Sequence, residues 1–209
     1  MIYAENILIC IAIPMLISLF FLRGTSRRFL MSFVMGMLAC LLSAYISGFL
    51  NLASGMGPED TAIFISPIVE EILKILPLLF ALYLFQPEDG SLSTIALGTA
   101  AGFATFENCC YILSSGVDRL SYVLIRGMAV GVMHIVSVIA ISMGIIAARR
   151  LKALTFPAIL GALSLSATFH ALYNLLVSEP GISSAIGYAL PMLTAFVLYR
   201  MNLKLREQV

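Results

Sequence analysis

Residues 62–85 read AIFISPIVEEILKILPLLFALYLF, an apolar run in which only Glu70, Glu71 and Lys74 are charged. At a rise of roughly 1.5 Å per residue, such a segment spans about 36 Å as a helix, enough to cross a hydrocarbon core of about 30 Å. Backbone groups in lipid must pair within their own segment, so length and composition together predict a spanning helix. Pro67 and Pro77 lack backbone donors and are expected to disturb it, freeing carbonyls around the turn that carries Glu70. A charge at the bilayer centre costs about 2.5–3.5 kcal/mol on insertion scales, so two carboxylates and an ammonium in one span mark functional candidates.

Six further apolar runs flank this one, at approximately 6–22, 29–50, 92–113, 121–147, 153–176 and 182–200. The breaks between runs are GTSRR, SGMGPED, QPEDGS, SSGVDR, RRLK and SEPG. The expected fold class is all-α: a polytopic membrane bundle of about seven transmembrane helices forming a single domain over residues 1–209. Composition agrees, with 61% hydrophobic residues, only 11% charged and a mean hydropathy of +1.03, against about 25% charged in globular proteins. A net charge of +1, with no basic run interleaved with aromatics, excludes nucleic acid as a partner. Cys10, Cys40, Cys109 and Cys110 lie in apolar stretches without CxxC spacing, which suggests neither a disulfide framework nor a zinc knuckle. The first run is preceded by MIYAEN, without a basic residue, and is followed by Arg23, Arg27 and Arg28. A cleavable signal has the reverse charge order, so the first run is expected to remain as a span.

Basic residues in loops are retained on the cytoplasmic side. Arg23, Arg27 and Arg28 fall in the first loop, Arg149, Arg150 and Lys152 in the fifth, and Arg200, Lys204 and Arg206 in the tail. This alternation predicts an N-terminus outside and a C-terminus in the cytoplasm. Glu59, Asp60, Asp118 and Glu179 then lie in outer loops, whereas Glu88 and Asp89 make an acidic cytoplasmic loop. Gly98 with Gly102 and Gly127 with Gly131 form small-xxx-small patterns, which allow helices to approach closely.

Polar groups enter the spans in three blocks, Glu70 to Lys74, Phe106 to Tyr111 and His170 to Asn174, with His134 standing alone in the fifth run. Residues four apart share a helix face, which pairs Glu70 with Lys74, Glu107 with Tyr111 and His170 with Asn174. Glu70 and Glu71 point about 100° apart, so one is expected to react while the other braces a neighbour. Counted from the outer helix ends, Glu70 lies about 12 Å deep, Glu107 and His170 about 9 Å, and His134 about 20 Å. Four helices thus bring acids, bases and amides into the outer half of the bilayer, where they could converge on one water-filled pocket. An ion pair between Glu71 and Lys74, and a polar clamp between Glu107 and Tyr111, are the structural alternatives.

These blocks resemble the glutamate-dependent intramembrane proteases of the PrsW type, which are related more distantly to the type II CAAX prenyl endopeptidases and their bacterial homologues. EEILK matches EExxK at Glu70 to Lys74, FENCCY matches FExxxY at Phe106 to Tyr111, His134 is the isolated histidine, and HALYN matches HxxxN at His170 to Asn174. The resemblance covers about residues 62–176, the expected catalytic core. In the CAAX endopeptidases the first motif ends in Arg one position later, which argues against prenylated substrates here. The resemblance implies Glu70 as general base on a water held with help from His134, with His170 and Asn174 donating to the oxyanion. The expected catalytic residues are then Glu70, Glu71, His134, His170 and Asn174, with Glu71 orienting the reacting groups, and Lys74, Phe106, Glu107 and Tyr111 are supporting residues. The choice of Glu70 over Glu71 as base rests on the resemblance alone. It further implies a substrate that is a single-span membrane protein such as an anti-sigma factor, cut in its extracytoplasmic juxtamembrane part, and residence in the bacterial cytoplasmic membrane.

This chemistry needs no cofactor. The alternative is a zinc protease with Glu70, His134 and His170 as ligands, since two histidines and a carboxylate form a recognised catalytic set, although no HExxH is present. A proton-coupled transporter is the non-enzyme reading. Transporters usually carry internal repeats, which this sequence lacks, and its polar groups crowd one leaflet.

Overall fold

The computed structural model describes residues 4–115, 119–150 and 155–207, with side chains described over 4–114, 119–149 and 156–200. Of the charges used to orient the chain, Asp118 and Lys152 lie outside the described residues, and Arg150, Lys204 and Arg206 outside the described side chains. Seven long helices follow one another: α1 (Ala4–Ser18), α2 (Gly24–Ser54), α3 (Ser66–Phe85), α4 (Asp89–Ser115), α5 (Leu120–Arg150), α6 (Thr155–Ser178) and α7 (Ile182–Glu207). No strand occurs among the described residues. The all-helical expectation therefore holds.

By length and composition alone, four stretches qualify as membrane spans: Gly24–Ser54, Leu120–Arg149, Phe156–Ser178 and Ile182–Arg200. α1 is apolar but has only 15 residues. α3 and α4 are long enough, and their apolarity is lowered by the residues that make them interesting, Glu70, Glu71 and Lys74 on one and Glu107 and Asn108 on the other. Large apolar side chains such as Phe49, Phe80, Leu124 and Phe196 are exposed around the bundle. That is the surface a bundle needs when its surroundings are lipid rather than water.

Close backbone approach holds α2 against α4. A Cβ at Gly98 would sit 2.6 Å from the Phe29 carbonyl oxygen, and Cβ atoms at Gly102 and Gly36 would collide with the carbonyls of Phe33 and Thr99. The second pattern behaves differently: a Cβ at Gly127 or Gly131 meets nothing within 4 Å. Spacing alone cannot tell a packed glycine pair from an open one.

The expected disturbance of the third segment takes a specific form. Helical structure begins at Pro58–Asp60, passes through a π turn at Thr61–Ile65 and becomes regular α3 at Ser66. Pro67 has no N–H to return to Ile63, and the Ser66 N–H reaches back five residues to the Thr61 carbonyl. Two asparagines brace this turn. Asn51 of α2 donates to Thr61 Oγ1 at 2.7 Å, and Asn174 of α6 donates to the Ala62 carbonyl at 2.9 Å.

Beneath the turn, Met37, Cys40, Leu73, Phe103 and Phe106 form one buried cluster, and Leu78, Leu92, Ala96, Val138 and Ile141 form another nearer the opposite end. At that opposite end Arg149 donates to the Pro87 carbonyl at 2.7 Å and to Asp89 Oδ1 at 3.1 Å, while Arg28 donates to Ser91 Oγ at 2.7 Å. The acidic loop residue Asp89 thus shares an end with Arg28 and Arg149.

Candidate active site

α3 places Lys74 at the hub of a polar network in the bundle interior. Its Nζ donates to Glu71 Oε1 at 2.7 Å, lies 2.6 Å from His134 Nδ1 and 3.9 Å from Glu70 Oε2, and stands 4.3 Å above the Phe103 ring. Lys74, Glu71 and His134 are each 0% exposed. An ammonium can only donate, so His134 Nδ1 accepts and its proton sits on Nε2, where it is donated to Glu107 Oε2.

Glu71 is fully engaged. Its Oε1 also accepts from His170 Nδ1 at 2.9 Å, and its Oε2 accepts from Ser166 Oγ at 3.0 Å. With Nδ1 engaged by Glu71, His170 turns Nε2 toward Glu70, whose Oε2 lies 3.8 Å away. That distance is too long for a hydrogen bond. Glu70 Oε2 is buried and has no hydrogen-bond partner among the described residues. The two adjacent glutamates therefore address opposite nitrogens of one imidazole: Glu71 braces it, and Glu70 faces its open side.

A cavity of about 410 Å³ opens onto this face, lined by Glu70, Glu107, Arg126, His170 and Asn174 among others. Arg126 of α5 donates to Glu107 Oε1 at 3.0 Å, and its guanidinium lies 3.5 Å over the Tyr111 ring. The Tyr111 and Tyr122 hydroxyls are 2.9 Å apart. Glu107 is thus held between Arg126 and His134, and the same arginine lies over Tyr111.

The sequence-expected residues converge with two refinements. Phe106 packs into the apolar cluster beside Met37 and Leu73, so its contribution is to seat α4. Asn174 lines the cavity but spends one donor on the π turn at Ala62. His134, expected about 20 Å deep, instead meets Lys74 and Glu107 directly. Residue counts measure along each helix from its own end, and helix ends do not share one plane. Two participants were not singled out from sequence. Arg126 could have been, because a lone arginine inside an apolar run carries the same insertion penalty as the glutamates. Ser166 could not, because serines in apolar helices commonly bond their own backbone.

Glu70, His134 and His170 each offer one ligand atom, all within 4.8 Å of one another. A carboxylate and two imidazoles are a donor set that zinc accepts. Glu70 and His170 have open donor atoms. His134 would have to exchange its contact with either Lys74 or Glu107 for an ion. The set fits a divalent metal in type and proximity, with that one rearrangement.

A family model described as PrsW family intramembrane metalloprotease matches residues 25–201. The chain belongs to the PrsW family. It is thus an intramembrane protease, a peptide-bond hydrolase in a multi-pass membrane protein. The PrsW match reaches beyond the four motifs to take in α2 and most of α7. No curated protein sequence and no solved structure gives a significant match.

Proposed function

We propose that this PrsW-family protein hydrolyses peptide bonds with a water activated by Glu70. The observation that carries this reading is Glu70 Oε2, buried without a hydrogen-bond partner among the described residues and facing His170 Nε2 across 3.8 Å on the cavity floor. A water between them donates one hydrogen to each and presents its own lone pair to a carbonyl carbon in the cavity. As the new C–O bond forms, Glu70 takes the proton. The second N–H of Asn174 donates to the oxyanion, while His170 Nε2 keeps hold of the hydrogen that remains on the attacking oxygen. Collapse of the tetrahedral species breaks the C–N bond, and the proton held by Glu70 passes to the leaving amine. Holding the water falls here to His170. His134, committed at both nitrogens, positions Lys74 and Glu107.

The substrate is a single-span regulatory protein, such as an anti-sigma factor, cut in its extracytoplasmic juxtamembrane segment. Supporting this is the position of the cavity, whose rim includes Glu59 and Ser178, at the end of the bundle away from Arg28, Asp89 and Arg149. With basic residues retained inside, all seven helices span the bacterial cytoplasmic membrane, and the N-terminus is outside.

A second reading is favoured by the Glu70, His134 and His170 donor set and by the family's description as metalloproteases. A zinc ion held there would supply Lewis-acid activation of water. Cleavage of a single-span substrate by reconstituted protein tests both. Glu70→Gln and His170→Ala are expected to lower kcat by about 10²–10⁴-fold, and undiminished cleavage in either variant removes the glutamate mechanism. Inhibition by phenanthroline that zinc reverses moves the assignment to the metal.

A further inference from the structure

A second cavity, of about 490 Å³, reaches Glu70 from the side of α2. It shares Ala62, Ser66, Glu70 and Glu107 with the first cavity, so the catalytic carboxylate stands where the two meet, beside the π turn. Ser43, Ser47 and Asn51 line it at four-residue intervals, which places them on one face of α2. Other α2 side chains, Leu42, Tyr45, Ile46 and Phe49, are exposed toward lipid.

The polar face is not explained by bonds within the protein. Ser43 Oγ donates to its own helix at the Cys40 carbonyl, and Asn51 donates to Thr61. Ser47 does neither. The residue is only 7% exposed, and its Oγ has no partner, although back-bonding to a carbonyl one turn earlier is the usual arrangement for a serine in a helix. Glu70 Oε2, on the same cavity, is also buried without a hydrogen-bond partner among the described residues. Buried polar atoms left unpaired around a roomy space with several polar neighbours are what ordered water satisfies.

We propose that this second cavity is the supply route and waiting site for the hydrolytic water, separate from the first cavity, which takes the peptide. The proposal rests on the hydrolytic reading of Glu70 and holds whether the water is activated by the carboxylate alone or by a metal. A hydrolase in lipid must bring both a polypeptide and a water to one carboxylate, and two openings let one arrive while the other occupies its place.

The test has two readouts on the full-length protein. In the first, Ser47→Cys and Phe49→Cys are treated in membranes with a charged, impermeant methanethiosulfonate, and the modified cysteine is located by peptide mapping. Only a hydrated thiol ionises and reacts, so Ser47→Cys is expected to react at least about tenfold faster than lipid-facing Phe49→Cys. In the second, Ser47→Leu, which plugs the passage, is expected to lower kcat about tenfold with KM unchanged, while the lipid-facing control Phe49→Leu stays within about twofold of wild type. Equal labelling rates for the two cysteines overturn the proposal. A rise in KM at constant kcat for Ser47→Leu also overturns it, by making the cavity a substrate seat. If wild-type protein cleaves nothing, the hydrolytic reading fails by itself, and labelling still reports whether the cavity is wet.

Discussion

Lys74→Met removes the only ammonium at the centre of the polar network and nearly preserves side-chain length. Lys74 is fully buried and contacts Glu71 at 2.7 Å and His134 at 2.6 Å. A hydrogen bond to a charged group contributes about 1.5–3 kcal/mol, so two such bonds amount to about 3–6 kcal/mol. Independently, removing one partner of a buried ion pair costs about 3–5 kcal/mol, because the other charge is left uncompensated. The two estimates agree, and Lys74→Met is expected to destabilise the protein by about 3–5 kcal/mol, or about 6–20 °C in Tm for a chain of this size. The sequence has no Trp, so unfolding in detergent is followed with a thiol-reactive dye as buried Cys40 becomes accessible. The paired variant Lys74→Met/Glu71→Gln removes both charges and should recover about 2 kcal/mol relative to the sum of the single changes. A Lys74→Met protein that melts within 2 °C or so of wild type, or single changes that add to within about 0.5 kcal/mol, would refute an ionised network centred on Lys74.

Gly102→Val drives a Cβ into the Phe33 carbonyl and is expected to cost at least about 1–3 kcal/mol. Gly127→Ala, which meets nothing within 4 Å, should stay within about 1 kcal/mol; thermal melts of the two check the distinction between a packed and an open glycine pattern. Arg126→Gln releases Glu107 from its 3.0 Å partner and should lower kcat/KM about tenfold, equivalent to about 1.4 kcal/mol of transition-state stabilisation. The same variant should retain the wild-type Tm to within a few degrees, since a partly exposed ion pair at the edge of a cavity adds little to stability; wild-type kcat/KM would show that Arg126 is a bystander.

Seven helices were legible in the sequence because the bilayer imposes a length and an apolarity that no soluble segment needs to meet. So were the charged members of the candidate site: intramembrane charge is costly enough that Glu70, Glu71, Lys74 and Glu107 announce themselves one by one. The same rule, applied to Arg126, would have found the clamp on Glu107. Helix ends and the π turn were not legible, because Pro67 predicts a disturbance without saying which carbonyl takes which donor. Nor was the level of His134, since counting along one helix says nothing about how its neighbours are offset.

What the sequence determined by itself is a membrane-embedded helical chain with acids, bases and amides placed on four successive helices. Only the tertiary structure decided their pairing. Glu71 braces His170 while Glu70 faces its other nitrogen, Lys74 ties two helices together, and Arg126 joins Glu107 to Tyr111. The physical reason is range: insertion cost and helix periodicity are properties of one segment, whereas a hydrogen bond across helices depends on their relative tilt and offset. The same holds for the second opening onto Glu70, where Ser47 Oγ of α2 has no hydrogen-bond partner among the described residues.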